Sequence, residues 1–179
     1  MCIRDRDYTA IWVVGIASDG NWYVVDFLRD RLAFQERISK VFELARKYGI
    51  SLKEVLYERY GMQVDIDAIK QRQNDESYHF KITEVAGRAS KEDRIRRLAP
   101  LFFDNKIYLP RRHDYADEEG LAKDMVREFI HKEYKTFPVS MHDDMMDALS
   151  RLCDISRPIN PSGSSAVHLP KTITRRPKK

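Results

Sequence analysis

Cysteine is scarce. Cys2 and Cys153 are the only two in 179 residues, too few for a disulfide framework, and the expected compartment is reducing. No run of 18 apolar residues occurs, which excludes a membrane-spanning helix, and no charged-then-apolar leader marks a secretory signal. Also missing is any Gly-x-x-x-x-Gly-Lys-Ser/Thr loop, so no ATP site of that type is expected. Collagen-like, repeat, coiled-coil and zinc-ribbon designs find no support either. What is present is one domain's length, 42% hydrophobic, 34% charged and 11% aromatic. That is enough apolar and aromatic material to build a core.

The net charge of +4 is unevenly placed. Residues 156–179 hold six basic residues and no acidic one, leaving 26 basic against 28 acidic, a body at −2. Within it, Arg88 to Arg112 carries eight basic and three acidic residues, so the remainder stands at −7. An acidic body with one basic strip suits metal-assisted work on a polyanion, although solvated surface charge produces such runs too.

Met1 to Arg6 lacks an apolar period and is expected to be a fragment edge. Tyr8–Ile16 and Trp22–Phe27 are β-branched and aromatic, joined by Ser18-Asp-Gly-Asn21, and predict a β-hairpin with a strand buried on both faces. Apolar spacing from Ala33 predicts a helix to Tyr48, closed by Gly49. A strand over Leu52–Tyr57 ending at Glu58, a helix to about Asn74 and a strand over His79–Val85 follow. Then come a basic helix over Lys91–Leu101 capped by Ser90, a short strand at Lys106–Pro110, a helix over Glu118–Tyr134 with an apolar stripe of Leu121, Met125, Phe129 and Ile130, and a helix over His142–Ile155. Alternating strands and helices predict an α/β domain with a mixed sheet. Residues 156–179, with four of the seven prolines, are expected to be a flexible basic tail.

The run His142-Asp-Asp-Met-Met-Asp-Ala-Leu149 carries the most chemistry. On a helix, Asp143 and Asp144 lie four and three residues before Asp147, so the carboxylates share a face and repel unless a cation sits among them. Acids at a helix N-terminus also favour its dipole, which is the plainer explanation. Glu58 adds weight, because it ends a hydrophobic strand, where open α/β sheets place their ligands. A strand-end acid with acids on a later helix is a common oxygen set for one or two Mg²⁺ at a phosphodiester.

Several runs resemble the nuclease domain of bacteriophage large terminase subunits. They are Asp7–Gly15, Asp19–Asp26 with Arg29-Asp-Arg31, Tyr57-Glu-Arg-Tyr-Gly61, Ser90–Ile95 and His142–Leu149. The likeness spans residues 7–155 in one order. It implies a ribonuclease-H-like fold, a mixed sheet flanked by helices, and cutting of concatemeric double-stranded DNA during head filling with Mg²⁺ or Mn²⁺. It implies Glu58 as the middle catalytic acid, with Asp147 or Asp144 supplying the last and Asp143 as a further candidate beside them. Asp7 matches a secondary acidic position among the metal-binding set. The family's first catalytic aspartate falls before this segment, so the expected domain lacks its first strand and the chain is expected to cut poorly. An upstream ATPase domain, a small terminase subunit, a portal and the cytoplasm of an infected or lysogenic bacterial host are implied by the resemblance alone.

Arg88, Lys91, Arg94, Arg96 and Arg97 form a basic helix and its approach, and are expected to touch DNA phosphates without choosing sequence. The alternative is surface pairing of that helix with Glu92 and Asp93. Two other functions stay open: another ribonuclease-H-like nuclease such as a junction resolvase, and a non-catalytic module that binds DNA or packaging proteins. His113, His131 and Cys153 have no partners at ligand spacing and are expected to be structural.

Overall fold

The computed structural model describes residues 8–58, 64–86, 89–117 and 120–155. The expected fragment edge, Asp7, Arg88 and the basic tail lie outside them. The chain begins with a hairpin of β1 (Thr9–Ile16) and β2 (Trp22–Asp30), paired antiparallel with a bulge between Val13 and Val14. Asp19 accepts the Asn21 N–H in the turn, and Gly20 takes the positive φ that this turn requires. Asp26, Phe27 and Leu28 are buried in succession, so this end of β2 is covered on both faces.

Helix α1 (Phe34–Tyr48) buries Ile38, Val41, Phe42 and Ala45 along one stripe and ends at Gly49, which adopts a positive φ. A 3-10 turn then leads to β3 (Val55–Glu58), α2 (Val64–Asp75) and β4 (Ile82–Val85). β3 and β4 pair in parallel, so α2 is the crossover helix between them. Residues 79–81 were expected to belong to β4. Instead the Gln73 side chain donates to the Phe80 carbonyl and the Tyr78 N–H to the Gln73 carbonyl, tying that stretch to the end of α2.

The basic helix is broken into α3 (Lys91–Arg96) and α4 (Ala99–Phe103). Pro100 explains the break: it has no N–H to continue the ladder and is tolerated only in a first turn. β5 (Ile107–Tyr108) adds in parallel to β2. Glu118, where a helix was expected to begin, lies outside the described residues, and the chain from Ala122 to Asp124 is a strand. β6 (Asp114–Ala116) and β7 (Ala122–Asp124) form a second hairpin, whose turn has Gly120 at positive φ and the Asp117 side chain accepting the Leu121 N–H. Leu121, expected on an apolar stripe, is 58% exposed. α5 (Met125–Glu128) starts only where the Asp124 side chain accepts the Val126 N–H, and it widens into a π-helical turn over Phe129–Tyr134. α6 (Asp144–Ser150) runs into a 3-10 turn over Arg151–Ile155.

The architecture is mixed α/β with small sheets, not the one continuous sheet expected. Among the described residues the ladders are β1-β2-β5, β3-β4 and β6-β7. Two apolar clusters hold them. One packs Trp22, Val24 and Phe27 of β2 against Ile95, Leu98, Phe129, Met145, Met146 and Leu149. The other joins α1, α2 and β3 through Ile38, Phe42, Tyr57, Ile66 and Ile69. Trp12 pins β1 onto α6: its ring stacks on Phe27 at 4.5 Å and its indole N–H donates to the Met145 carbonyl at 2.8 Å.

Candidate functional site

Glu58 is the last residue of β3 and stands at the carboxyl end of the parallel β3–β4 pair. Asp147 is buried on α6, because Met145, Met146 and Leu149 draw that helix into the first apolar cluster. The two acids meet through arginine. Arg94 of α3 grips Asp147 with both arms of its guanidinium, Nε to Oδ1 at 2.9 Å and Nη2 to Oδ2 at 2.6 Å. The same Nη2 lies 3.9 Å from Glu58 Oε1. Those legs of 2.6 and 3.9 Å, laid end to end, put the two carboxylate oxygens no more than 6.5 Å apart. The cation that lies against both acids is the Arg94 side chain, not a metal ion.

Arg151, one helical turn beyond Asp147, pairs with the same Glu58 oxygen and lies 3.5 Å from Asp154. Its side chain is 7% exposed, and its Nε and Nη1 have no hydrogen-bond acceptor among the described residues. Arg97 completes the row on Asp154 at 2.8 Å. Three acids, Glu58, Asp147 and Asp154, thus face three arginines.

Asp144 looks elsewhere. Its oxygens lie 3.5 Å from Arg29 Nε and 3.6 Å from Lys91 Nζ, while Lys91 also pairs with Asp143 at 2.5 Å. Burial works against the Lys91 charge, but its hydrogen bond to Asp143 and the field of Asp144 and Asp147 hold its pKa above the ordinary value. The Arg94 pKa is raised as well, chiefly by its hydrogen bonds to Asp147.

Of the expected phosphate-binding residues, Arg94 turns inward. Lys91, Arg96 and Arg97 stay partly exposed, each with an acidic partner: Asp143, Glu92 and Asp154. Two residues of the site were not anticipated. Arg151 had a signal, its four-residue spacing from Asp147. Glu133 had one too, since it continues the four-residue interval of Met125 and Phe129 on a buried face. Glu133 is 1% exposed, and its Oε2 accepts the N–H groups of Met145 and Met146 at 2.9 and 3.0 Å, clamping the start of α6. Burial pushes its pKa up to about 7, with Arg29 at 3.7 Å opposing.

Magnesium needs near-octahedral oxygen ligands at about 2.0–2.1 Å. Among the described residues no three carboxylate, histidine or cysteine side chains come together as such a set, and guanidinium nitrogens lie against the acids that would supply it. As arranged, these residues do not fit the ion.

No protein-family model matches the chain, and no curated protein matches it. Among solved structures it is similar to the large terminase nuclease from thermophilic phage G20c with bound magnesium, at 16% identity and a TM-score of 0.47, covering 81% of this chain and 72% of that one.

Proposed function

We propose that this chain is a nuclease domain that hydrolyses phosphodiesters of double-stranded DNA, in a ribonuclease-H-like fold of the kind large terminase subunits carry. One observation supports the reading above others: Glu58, at the end of a parallel strand, and Asp147, on a distant helix, converge on one cation within 6.5 Å. Carboxylates brought together from 89 residues apart at a strand's carboxyl end suit a site for a phosphate-bound cation. Mg²⁺ or Mn²⁺ is part of the same proposal, and Glu58 and Asp147, which here pair with Arg94 and Arg151, would be the residues to hold it and polarise the phosphate. In this reading Glu58 and Asp147 are the principal acids, Asp144 assists, and Lys91, Arg96 and Arg97 receive the DNA backbone. The packaging context, an ATPase domain, a small terminase subunit, a portal and a bacterial host cell, belongs to the same proposal.

A second reading rests on the pairing itself. With each of these acids matched to a basic side chain, the domain would bind DNA or another packaging protein without cutting. Incubating the chain with supercoiled plasmid and Mg²⁺ or Mn²⁺ separates the two. Nicking that disappears in Glu58→Ala and in Asp147→Ala supports the nuclease. Binding with no cutting at any metal concentration favours the non-catalytic module.

A further inference from the structure

We propose that the solvent face of the β1-β2-β5 ladder is a stacking platform for the bases of single-stranded DNA, built on Tyr23 and Tyr108. The inference goes beyond the nuclease reading and does not depend on it. Tyr23 of β2 and Tyr108 of β5 lie in register on neighbouring strands, their rings stacked with centroids 5.0 Å apart and planes inclined by 13°. They stay 39% and 46% exposed, while the alternate residues Trp22, Val24 and Ile107 turn into the first apolar cluster. A tyrosine pair across two strands also stabilises a sheet, and the pair alone asks for no other explanation. Two features of β1 go further, because both strip cover from this face. Gly15 stands opposite Tyr23, so the directly facing position on β1 offers the ring no side chain. A Cβ at Gly15 would meet only the Tyr23 carbonyl oxygen, at 3.9 Å, which leaves the space above it open. The bulge pairs Val13 with Asp26 and Val14 with Val24, leaving Val25 unopposed and exposed.

Charge selects the occupant. From Asp104 to His113 the chain carries three basic residues, Lys106, Arg111 and Arg112, against one acid. Arg112 pairs with Asp114, whereas Lys106 and Arg111, on either side of Tyr108, have no acidic partner among the described residues. Flat aromatic faces beside unpaired cations match a strand whose bases are flat and whose backbone is anionic. A duplex keeps its base faces inside its own stack, so the platform fits unpaired nucleotides.

The test is fluorescence anisotropy of the full 179-residue chain with a labelled oligodeoxythymidylate of about ten nucleotides, an abasic strand of the same length and a duplex. The parent chain should prefer the base-bearing strand to the abasic one by at least about fivefold. Tyr23→Ala should weaken binding to the oligodeoxythymidylate by at least about fivefold and leave duplex binding unchanged, and Tyr23→Phe, which keeps the ring, should bind as the parent does. Gly15→Val guards against a merely structural effect. Gly15 lies within β1 without a positive φ, and a β-branched residue suits a strand. That variant should fold at least as well as the parent, yet cover the flank of Tyr23 and bind the oligodeoxythymidylate at least about fivefold more weakly. Replacing Lys106 and Arg111 together with glutamine should reduce the single-strand salt slope by about 1.4. Equal affinity for the abasic and base-bearing strands, or a folded Gly15→Val chain with parental affinity, overturns the proposal. So does a parent chain that sediments as a dimer while Gly15→Val sediments as a monomer, because a second copy would then be the occupant of this face.

Discussion

At the scale of single residues, Glu133 has the most to say about pH. Its carboxyl is buried, accepts two backbone N–H groups at the start of α6, and has a pKa of about 7 against an ordinary 4.5. Between those values the folded chain holds a proton that the unfolded chain has lost. Stability therefore falls as pH rises through that window, and the full penalty, about 3 kcal/mol, is in place above pH 7. Glu133→Gln, which keeps an acceptor for the clamp, should flatten the dependence. Urea denaturation from pH 4.5 to 8 would show it, and equal slopes in both proteins would refute the assignment. The arginines carry a different lesson. Glu58 and Asp147 were recognisable from their positions on a strand end and a helix face. Arg94 and Arg151 could not be assigned as their partners, because those pairings span 53 and 93 residues and exist only once β3, α3 and α6 have packed.

At the scale of elements, local turn chemistry overrode apolar spacing. The stripe through Leu121, Met125, Phe129 and Ile130 predicted a helix from Glu118, yet Gly120 and Asp117 form a turn and Asp124 delays the helix to Met125. A hydrophobic period tells which face is buried, not where the backbone N–H groups find their first acceptors. Asp124→Ala should remove the cap on Val126 and cost about 1 kcal/mol. The shift in urea midpoint would measure it, and a loss below a few tenths would mean that β7 pairing alone sets the start of α5. The first hairpin was legible for the opposite reason. There the strand pattern and the Asp19-Gly20 turn agree, so both levels of structure ask for the same conformation.

At the scale of the whole molecule, the two apolar clusters carry opposite halves of the candidate site. Glu58 rides on the cluster of α1, α2 and β3, and Asp147 on that of β2, α3, α5 and α6. The Arg94 and Arg151 pairs cross between them. The outer basic side chains remain the proposed contact with DNA. Replacing Arg96 and Arg97 together with alanine should weaken binding to any duplex sequence and reduce the salt slope by about 2. Fluorescence anisotropy at several salt concentrations would read both quantities, and an unchanged slope would assign these residues to Glu92 and Asp154 alone.

Legible in the chain alone were the α/β class, the opening hairpin and the strand–helix–strand order of β3, α2 and β4. Each depends on neighbours within one element: side-chain alternation, helical spacing, a cap or a turn. Tertiary structure alone decided that the strands divide into separate ladders, that Glu133 clamps α6, and that arginine is the cation between Glu58 and Asp147. Charge pairing in a folded interior is chosen by distance and desolvation, and neither is defined until the helices that carry the charges have docked.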